Sequence, residues 1–204
     1  MQLYFVRHAQ SEGNANGYQS TIDHDQLSPL GQQQAQALAV RLKELTFDHI
    51  YVSPYRRTLQ TIAPYLRQEN RQAEIWPNLA EGCWQSDVDA PIPDRPGTPD
   101  PVNIPADLAE LYRIPSEQNW LPWGEETYQE GCLRSVAARD ELLERHSQSD
   151  ATILTVGHFN SGNHMLESFL SMKHNKTFDH DNTGLSSLVQ KECGAFSINF
   201  ANRL

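Results

Sequence analysis

The chain opens on Leu3-Tyr4-Phe5-Val6, an apolar run of strand character that stops abruptly at Arg7-His8. Loop-like composition follows as far as Gln26, with Asn14, Asn16, Gly17, Ser20 and Asp23. Ser28-Pro29 then combines an N-cap residue with proline at the first helical position. Leu30, Ala35, Leu38, Leu42 and Leu45 recur at helical spacing and predict an amphipathic helix over 29–45. Residues 47–52 read as a second strand. Ser53-Pro54 repeats the cap signal and predicts a helix that runs to Gln68. Strand character returns at 73–76.

The segment 85–123 breaks this alternation. Eight of the 12 prolines lie in it, and proline removes backbone donors, so a regular sheet or a long helix is not expected there. Trp84, Trp120 and Trp123 flank or end the segment, which predicts that it packs down as an inserted cap over one sheet edge, with a short helix at 106–112. The longest helical pattern follows at 124–146, with Tyr128, Cys132, Val136 and Leu143 on one face. Residues 151–156 are nearly all apolar, the pattern of a strand buried on both faces, and they end at Gly157-His158. A helix carrying Met165, Leu166, Phe169 and Leu170 comes next, then two strands near 185–190 and 195–200 around Cys193-Gly194. Strands alternating with helices predict an α/β fold: a three-layer α/β/α sandwich with a mostly parallel central sheet, as one domain over 1–204.

Composition narrows the function classes. Hydrophobic content of 38% and charged content of 21% fit a folded chain. No run approaches the length of a membrane span and no signal-peptide pattern opens the sequence, so the expectation is a cytoplasmic protein with no membrane partner. The net charge of −10 comes without a basic stripe, which argues against a nucleic-acid partner. A small anionic ligand would then need a local cluster of Arg and His to hold it. Cys83, Cys132 and Cys193 are too few and too scattered for a disulfide framework and read as ordinary reduced thiols. The run from His174 to Asp181 reads as a polar loop, since no ligand pair in it has a recurrent metal spacing; Lys173 and Lys176 are candidates for the rim of a pocket. The oligomeric state is not set by any of these features.

Three strand ends each deliver a basic residue. The first gives Arg7-His8, the second leads to Arg56-Arg57 in the first turn of a helix, and the 151–156 strand gives Gly157-His158. If these strands are parallel neighbours, the groups meet at one sheet edge, where ligands bind in such folds. Imidazoles and guanidiniums around one point suggest phosphate chemistry.

These blocks resemble the histidine phosphatase superfamily, with its phosphoglycerate mutase-like fold. Arg7-His8-Ala9-Gln10-Ser11-Glu12-Gly13-Asn14 is similar to the family motif R-H-G-E-[ST]-x-x-N, with Ala9 and Gln10 in place of Gly and Glu. The segment from Leu27 to Ala35 is similar to L-[ST]-x-x-G-x-x-Q-A, and Ser53 through Thr61 to S-x-L-x-R-A-x-x-T, which aligns Arg57 with the family arginine. Thr155-Val156-Gly157-His158 resembles the apolar strand ending in G-H, although Phe159 follows where the family often has Gly. The resemblance implies a metal-independent phosphatase, without cofactor, that hydrolyses a small phosphate monoester through a phosphohistidine on His8. It implies that Arg7 and Arg57 grip the phosphoryl oxygens, that His158 donates a further hydrogen bond, and that Asn14, Ser11 and Asn160 belong to the phosphate-binding set. Glu81, in Leu79-Ala80-Glu81, fits the position of the proton donor. The spacing to Gly82 and Trp84 is shorter than in the family, which keeps Asp87 and Asp89 as alternatives. Mutase-type phosphotransfer and a non-catalytic phospho-ligand binder are the competing functions. The 85–123 segment carries only Arg95 and Arg113 as cations, which favours the phosphatase over a mutase with a basic clamp.

Overall fold

Strand β1 (Gln2–Arg7) sorts its side chains by the two-residue period of a strand. Leu3 and Phe5 enter one apolar cluster, and Tyr4 and Val6 enter another on the opposite face. Each cluster is closed by a pair of helices, so the sheet is the middle of three layers. In this computed structural model the residues described are 1–17, 25–84, 88–95, 97–117 and 119–204.

In chain order the elements are β1, α1 (Glu12–Asn16), α2 (Pro29–Leu42), β2 (His49–Val52), α3 (Arg56–Gln68), β3 (Ala73–Ile75), β4 (Tyr112–Arg113), α4 (Tyr128–His146), β5 (Thr152–Gly157), α5 (Phe159–Phe169), β6 (Leu185–Gln190) and β7 (Phe196–Arg203). The sheet order is β4-β3-β2-β5-β1-β6-β7. The pairings from β4 to β1 are parallel, while β6 runs antiparallel to both β1 and β7. Leu38, Leu42, Leu59, Ile62 and Leu66 from α2 and α3 cover one face, and Leu142, Met165, Leu166 and Phe169 from α4 and α5 cover the other. The mixed α/β sandwich expected from the alternation is the fold observed.

Ser28 caps α2 as its sequence suggests, its Oγ accepting from Gly31 N at 3.0 Å. Gly31 is required for a second reason: a Cβ there would sit 1.9 Å from the Gln10 carbonyl oxygen. The helix start is therefore pressed against the loop that follows His8. Helix α2 is shorter than expected and ends at Leu42.

Two other expectations are displaced. Helix α3 begins at Arg56 with Tyr55 as an N-cap that makes no side-chain cap bond, so Ser53 is not the cap. The Ser53 hydroxyl is held by His158 instead, at 2.7 Å. On α4 the buried stripe is Gly131, Ser135, Ala138, Leu142 and His146, whereas Tyr128, Cys132, Val136 and Leu143 are half-buried. Small residues let this helix lie close to its neighbours, a preference that a count of large apolar side chains misses.

The proline-rich segment does pack down: Val102, Ile104, Leu108, Leu111, Tyr112 and Ile114 join the cluster under α2 and α3. The short helix is a single 3-10 turn at Ala109–Leu111, and the segment supplies β4 as a two-residue edge strand, although proline content argued against sheet there. No helix among the described residues is long and apolar enough to cross a membrane.

Candidate active site

Parallel pairing brings the three basic strand ends together. Arg7 stands opposite Gly157 in the β1–β5 register, and His8 N donates to Gly157 O at 2.9 Å. On the other side of β5, Val52 pairs with Val156, and Ser53 N donates to Val156 O at 3.0 Å, which starts the turn into α3 and Arg57. The site lies at the carboxyl ends of β1, β5 and β2, beside a cavity of about 370 Å³. Arg7, His8, Asn14, Arg57, Glu81 and Asn160 line it. Tyr55, Trp84 and Phe159 supply aromatic wall, and Gly13 and Asp25 complete the lining.

His8 is buried at 3% exposure, and its tautomer follows from its partners. The Ala9 carbonyl at 2.7 Å can only accept, so Nδ1 carries the hydrogen. Arg57 Nε, which can only donate, lies 3.3 Å from Nε2, so Nε2 presents its lone pair. Burial, then the charges of Arg57 and Arg7, hold the His8 pKa well below the usual imidazole range. His8 is thus a neutral imidazole whose Nε2 lone pair accepts from the Arg57 guanidinium.

His158 is fully buried and does not line the cavity. Arg57 Nη2 donates to its Nδ1 at 3.2 Å, which leaves Nε2–H to donate to Ser53 Oγ at 2.7 Å. Burial and then Arg57 hold this imidazole neutral as well. In this arrangement His158 stands behind Arg57 and orients it. Arg57 is also fixed by Asp25, whose Oδ2 is 3.4 Å from Nη1, and by the Tyr55 ring, 4.4 Å from its guanidinium carbon.

Arg7 donates through Nη1 to the His180 carbonyl at 2.6 Å and lies over Phe159, 5.4 Å from the ring centroid. The bulky residue after His158 therefore forms part of the floor under Arg7. Arg7 Nε has no hydrogen-bond acceptor among the described residues. Asn14 accepts through Oδ1 from Ser11 N at 3.4 Å and from Asn182 Nδ2 at 3.3 Å. Ser11 itself is fully buried as the N-cap of α1, its Oγ taking Asn14 N at 3.1 Å, and it is not part of the cavity lining.

Glu81 lines the cavity opposite the start of α5. Its Oε1 accepts from Ser161 N and Gly82 N, each at 3.0 Å, and its Oε2 from Asn160 N and Nδ2, each at 3.4 Å. Of the alternative donors, Asp89 is exposed and does not line the cavity, and Asp87 lies outside the described residues. Lys173 and Lys176 do not line it either, because they follow the far end of α5.

Three groups have no motif to announce them. Asp25 accepts from Gly13 N at 2.9 Å and pairs with Arg57. Asn182 donates to His8 O at 2.9 Å. Arg134, on α4, donates to the carbonyls of Asn78, Ala80 and Glu81 at 3.0, 2.7 and 3.3 Å, which sets the loop that carries Glu81.

The family model for the histidine phosphatase superfamily, branch 1, matches residues 3–203. The chain belongs to this superfamily. It is 42% identical over 71 residues to phosphoserine phosphatase 1 of Hydrogenobacter thermophilus, which covers 34% of this chain and 33% of that protein. A 2,3-bisphosphoglycerate-dependent phosphoglycerate mutase of Cytophaga hutchinsonii is 24% identical over 164 residues, 78% of this chain and 72% of the mutase. Among solved structures, the alpha-ribazole phosphatase from Shigella flexneri superposes with a TM-score of 0.72 at 20% identity, over 100% of this chain and 96% of that one. The match spans about a third of the length of the first curated relatives.

Proposed function

We propose that the protein is a phosphatase that hydrolyses a small phosphate monoester through a phosphohistidine on His8. The observation that carries this reading is the pinned tautomer of His8, with Nε2 unprotonated and accepting from Arg57 Nε at the cavity. A neutral imidazole needs no further activation to attack phosphorus, and the reaction otherwise asks for positioning and charge stabilisation.

In the first half-reaction His8 Nε2 forms a bond to phosphorus as the ester P–O bond breaks in line. Arg57 and Arg7 take the equatorial oxygens, where a guanidinium fork matches two oxygens at once. Asn14 and Asn160 offer amide contacts from the cavity wall. Glu81 gives its proton to the departing alkoxide. In the second half-reaction the same carboxylate takes a proton from water, which attacks the phosphohistidine, restores neutral His8 and leaves inorganic phosphate. No step uses a metal or a cofactor.

Transfer to water fits the cavity better than transfer to a second hydroxyl of a phosphoglycerate. Among the described lining residues the cations are Arg7 and Arg57, both committed to phosphate, and none is left to clamp a carboxylate. Arg95 pairs with Glu130 at 3.1 Å and Arg113 with Glu74 at 3.2 Å. The aromatic wall of Tyr55, Trp84 and Phe159 suits an organic leaving group of modest size.

The test is rapid quench with 4-nitrophenyl phosphate and a panel of alkyl phosphates, including phosphoserine, in the presence of chelator. An acid-labile phosphoenzyme that forms in a burst and is absent in His8→Ala is the expected result. Phosphate binding without phosphoenzyme from any ester would make the protein a binder, and efficient interconversion of phosphoglycerates would make it a mutase.

A further inference from the structure

Cys83, Cys132 and His164 come together beside the Glu81 loop, and none of them lines the cavity. Their two sulfurs and one ring nitrogen all lie within 4.8 Å of one another. Cys132 Sγ is 3.9 Å from His164 Nδ1. In a tetrahedral zinc site, with Zn–S about 2.3 Å and Zn–N about 2.0–2.1 Å, a sulfur and a nitrogen ligand stand about 3.6 Å apart. The observed pair needs to close by only a few tenths of an ångström.

The surroundings hold these groups in place. Gly131 stands where a Cβ would be 2.7 Å from Cys83 Sγ, so only glycine lets that thiol lie against α4. Cys83 itself has a φ of 63°, a left-handed conformation that a non-glycine residue adopts at a cost. Glu167, buried within α5, sits 3.8 Å from His164 Nδ1 and accepts from Asn175 N and Thr177 N, at 3.1 and 2.7 Å. It thereby fixes the loop that carries His174. The His174 ring meets His164 edge-on at 4.7 Å between centroids. Tyr128 Oη, 3.5 Å from His164 Nε2, is the partner that would orient a ring coordinating through Nδ1. Cys132 and His174 are half-buried and give an ion a way in.

We propose that Cys83, Cys132 and His164 form a binding site for a soft divalent cation of the zinc type, with water at the fourth position. Two thiolates and an imidazole select such an ion over magnesium or calcium, which prefer oxygen ligands. The ion would tie the loop after Glu81, α4 and α5 to one point. On binding, each thiol gives up its proton to solvent, and no oxidation is involved. The proposal stands whether or not the phosphatase reading does, because the site is separate from the phosphate-facing residues.

The test uses the full-length chain, reduced, stripped with chelator and titrated with Co²⁺. The expected result is one ion per chain, with a sulfur-to-cobalt charge-transfer band in the near ultraviolet and the intense visible bands of four-coordinate cobalt, both reversed by Zn²⁺. Cys132→Ser and His164→Gln should remove the charge-transfer band or weaken Zn²⁺ binding by roughly 10–100-fold or more. Cys193→Ser changes a thiol exposed on the β6–β7 turn and should leave the titration as it was. A folded, reduced parent that takes up no stoichiometric Co²⁺ would overturn the proposal without recourse to variants. So would a band unchanged in both Cys132→Ser and His164→Gln, or a Cys83–Cys132 disulfide whose reduction yields thiols that bind no metal.

Discussion

Replacing Arg134 by methionine separates the stability of the Glu81 loop from its chemistry. Arg134 is 9% exposed and forms a two-pronged pair with Glu126, Nε to Oε1 at 2.7 Å and Nη2 to Oε2 at 2.6 Å. Its remaining hydrogens go to the carbonyls of Asn78, Ala80 and Glu81. Methionine keeps an unbranched apolar stem, though a shorter one, but takes the two-pronged partner from the buried Glu126 carboxylate and removes the bonds to three carbonyls. Breaking one partner of a buried pair costs about 3–5 kcal/mol. At about 2–4 °C per kcal/mol for a chain of this size, the melting temperature should fall by about 6–20 °C. The loop would also lose its register, and a displacement of about 1 Å in a catalytic group can cost about 100-fold in rate. If Glu81 protonates the leaving group, that loss should depend on the ester. The phosphorylation burst with an alkyl phosphate should fall about 10–100-fold, whereas 4-nitrophenolate leaves without a proton and its burst should stay close to that of the parent. Calorimetry and rapid quench read the two effects separately. An unchanged melting temperature would refute the buried-pair argument. Equal losses for both esters would refute the positioning of Glu81, and Glu126→Gln, which keeps the shape of the pair, should give a smaller version of both effects.

Other outcomes follow from the same geometry. Arg57→Lys keeps the charge but loses the fork that meets His8 Nε2 and His158 Nδ1 together, so kcat/KM for any phosphate ester should drop about 100–1000-fold; a variant as active as the parent would remove Arg57 from the site. Because burial and two arginines keep His8 neutral, kcat/KM should stay level as pH falls through 6.5, and an acid limb centred there would contradict the environment described for His8. His180, buried beside Arg7 among Phe5, Phe159 and Phe178, has its pKa pushed down from 6.5 to about 4, first by burial and then by Arg7. The unfolded chain gains this proton first as pH falls, so the contribution is whole above 6.5 and is lost on the way down to about 4, by up to about 3 kcal/mol. Urea denaturation across that window should show the loss, and His180→Phe should flatten the curve.

What the sequence made legible is what strand geometry controls. The alternation in β1 sends Leu3 and Phe5 one way and Tyr4 and Val6 the other, and each set is found in its own cluster. The near-continuous apolar run of β5 is the strand between β1 and β2, covered on both faces. Arg7, His8, Arg57 and His158 could be gathered in advance because each sits at or just beyond a strand end, and parallel register makes such ends neighbours. The contacts that could not be read depend on chain reversals with no period. Asp25 reaches Arg57 from a stretch whose Leu27 N donates to Gln60 of α3 at 2.9 Å, and Asn182 reaches His8 because β6 returns antiparallel to β1. The cysteines looked scattered because the fold, not the sequence, sets Cys83 against Cys132 through the small side of α4.

The division between these two sets has chemical content. The legible residues are the ones proposed to grip a phosphoryl group: His8 as nucleophile, Arg7 and Arg57, and His158 behind Arg57. Of the residues that were not legible, Asp25 and Asn182 brace Arg57 and His8, whereas Arg134 holds the loop from Asn78 to Trp84, on which Glu81 sits. That loop is fixed by a side chain from α4 and by the first amides of α5, and it runs directly into Cys83. The groups proposed to grip phosphate sit at strand ends and follow short motifs, while the setting of Glu81 depends on packing that α4 and α5 supply. On this argument substitutions in α4 and in the 78–84 loop should change which esters are cleaved far more than how tightly inorganic phosphate binds. Product inhibition by phosphate, measured beside ester selectivity in Arg134→Met, would show the two moving together if the argument is wrong.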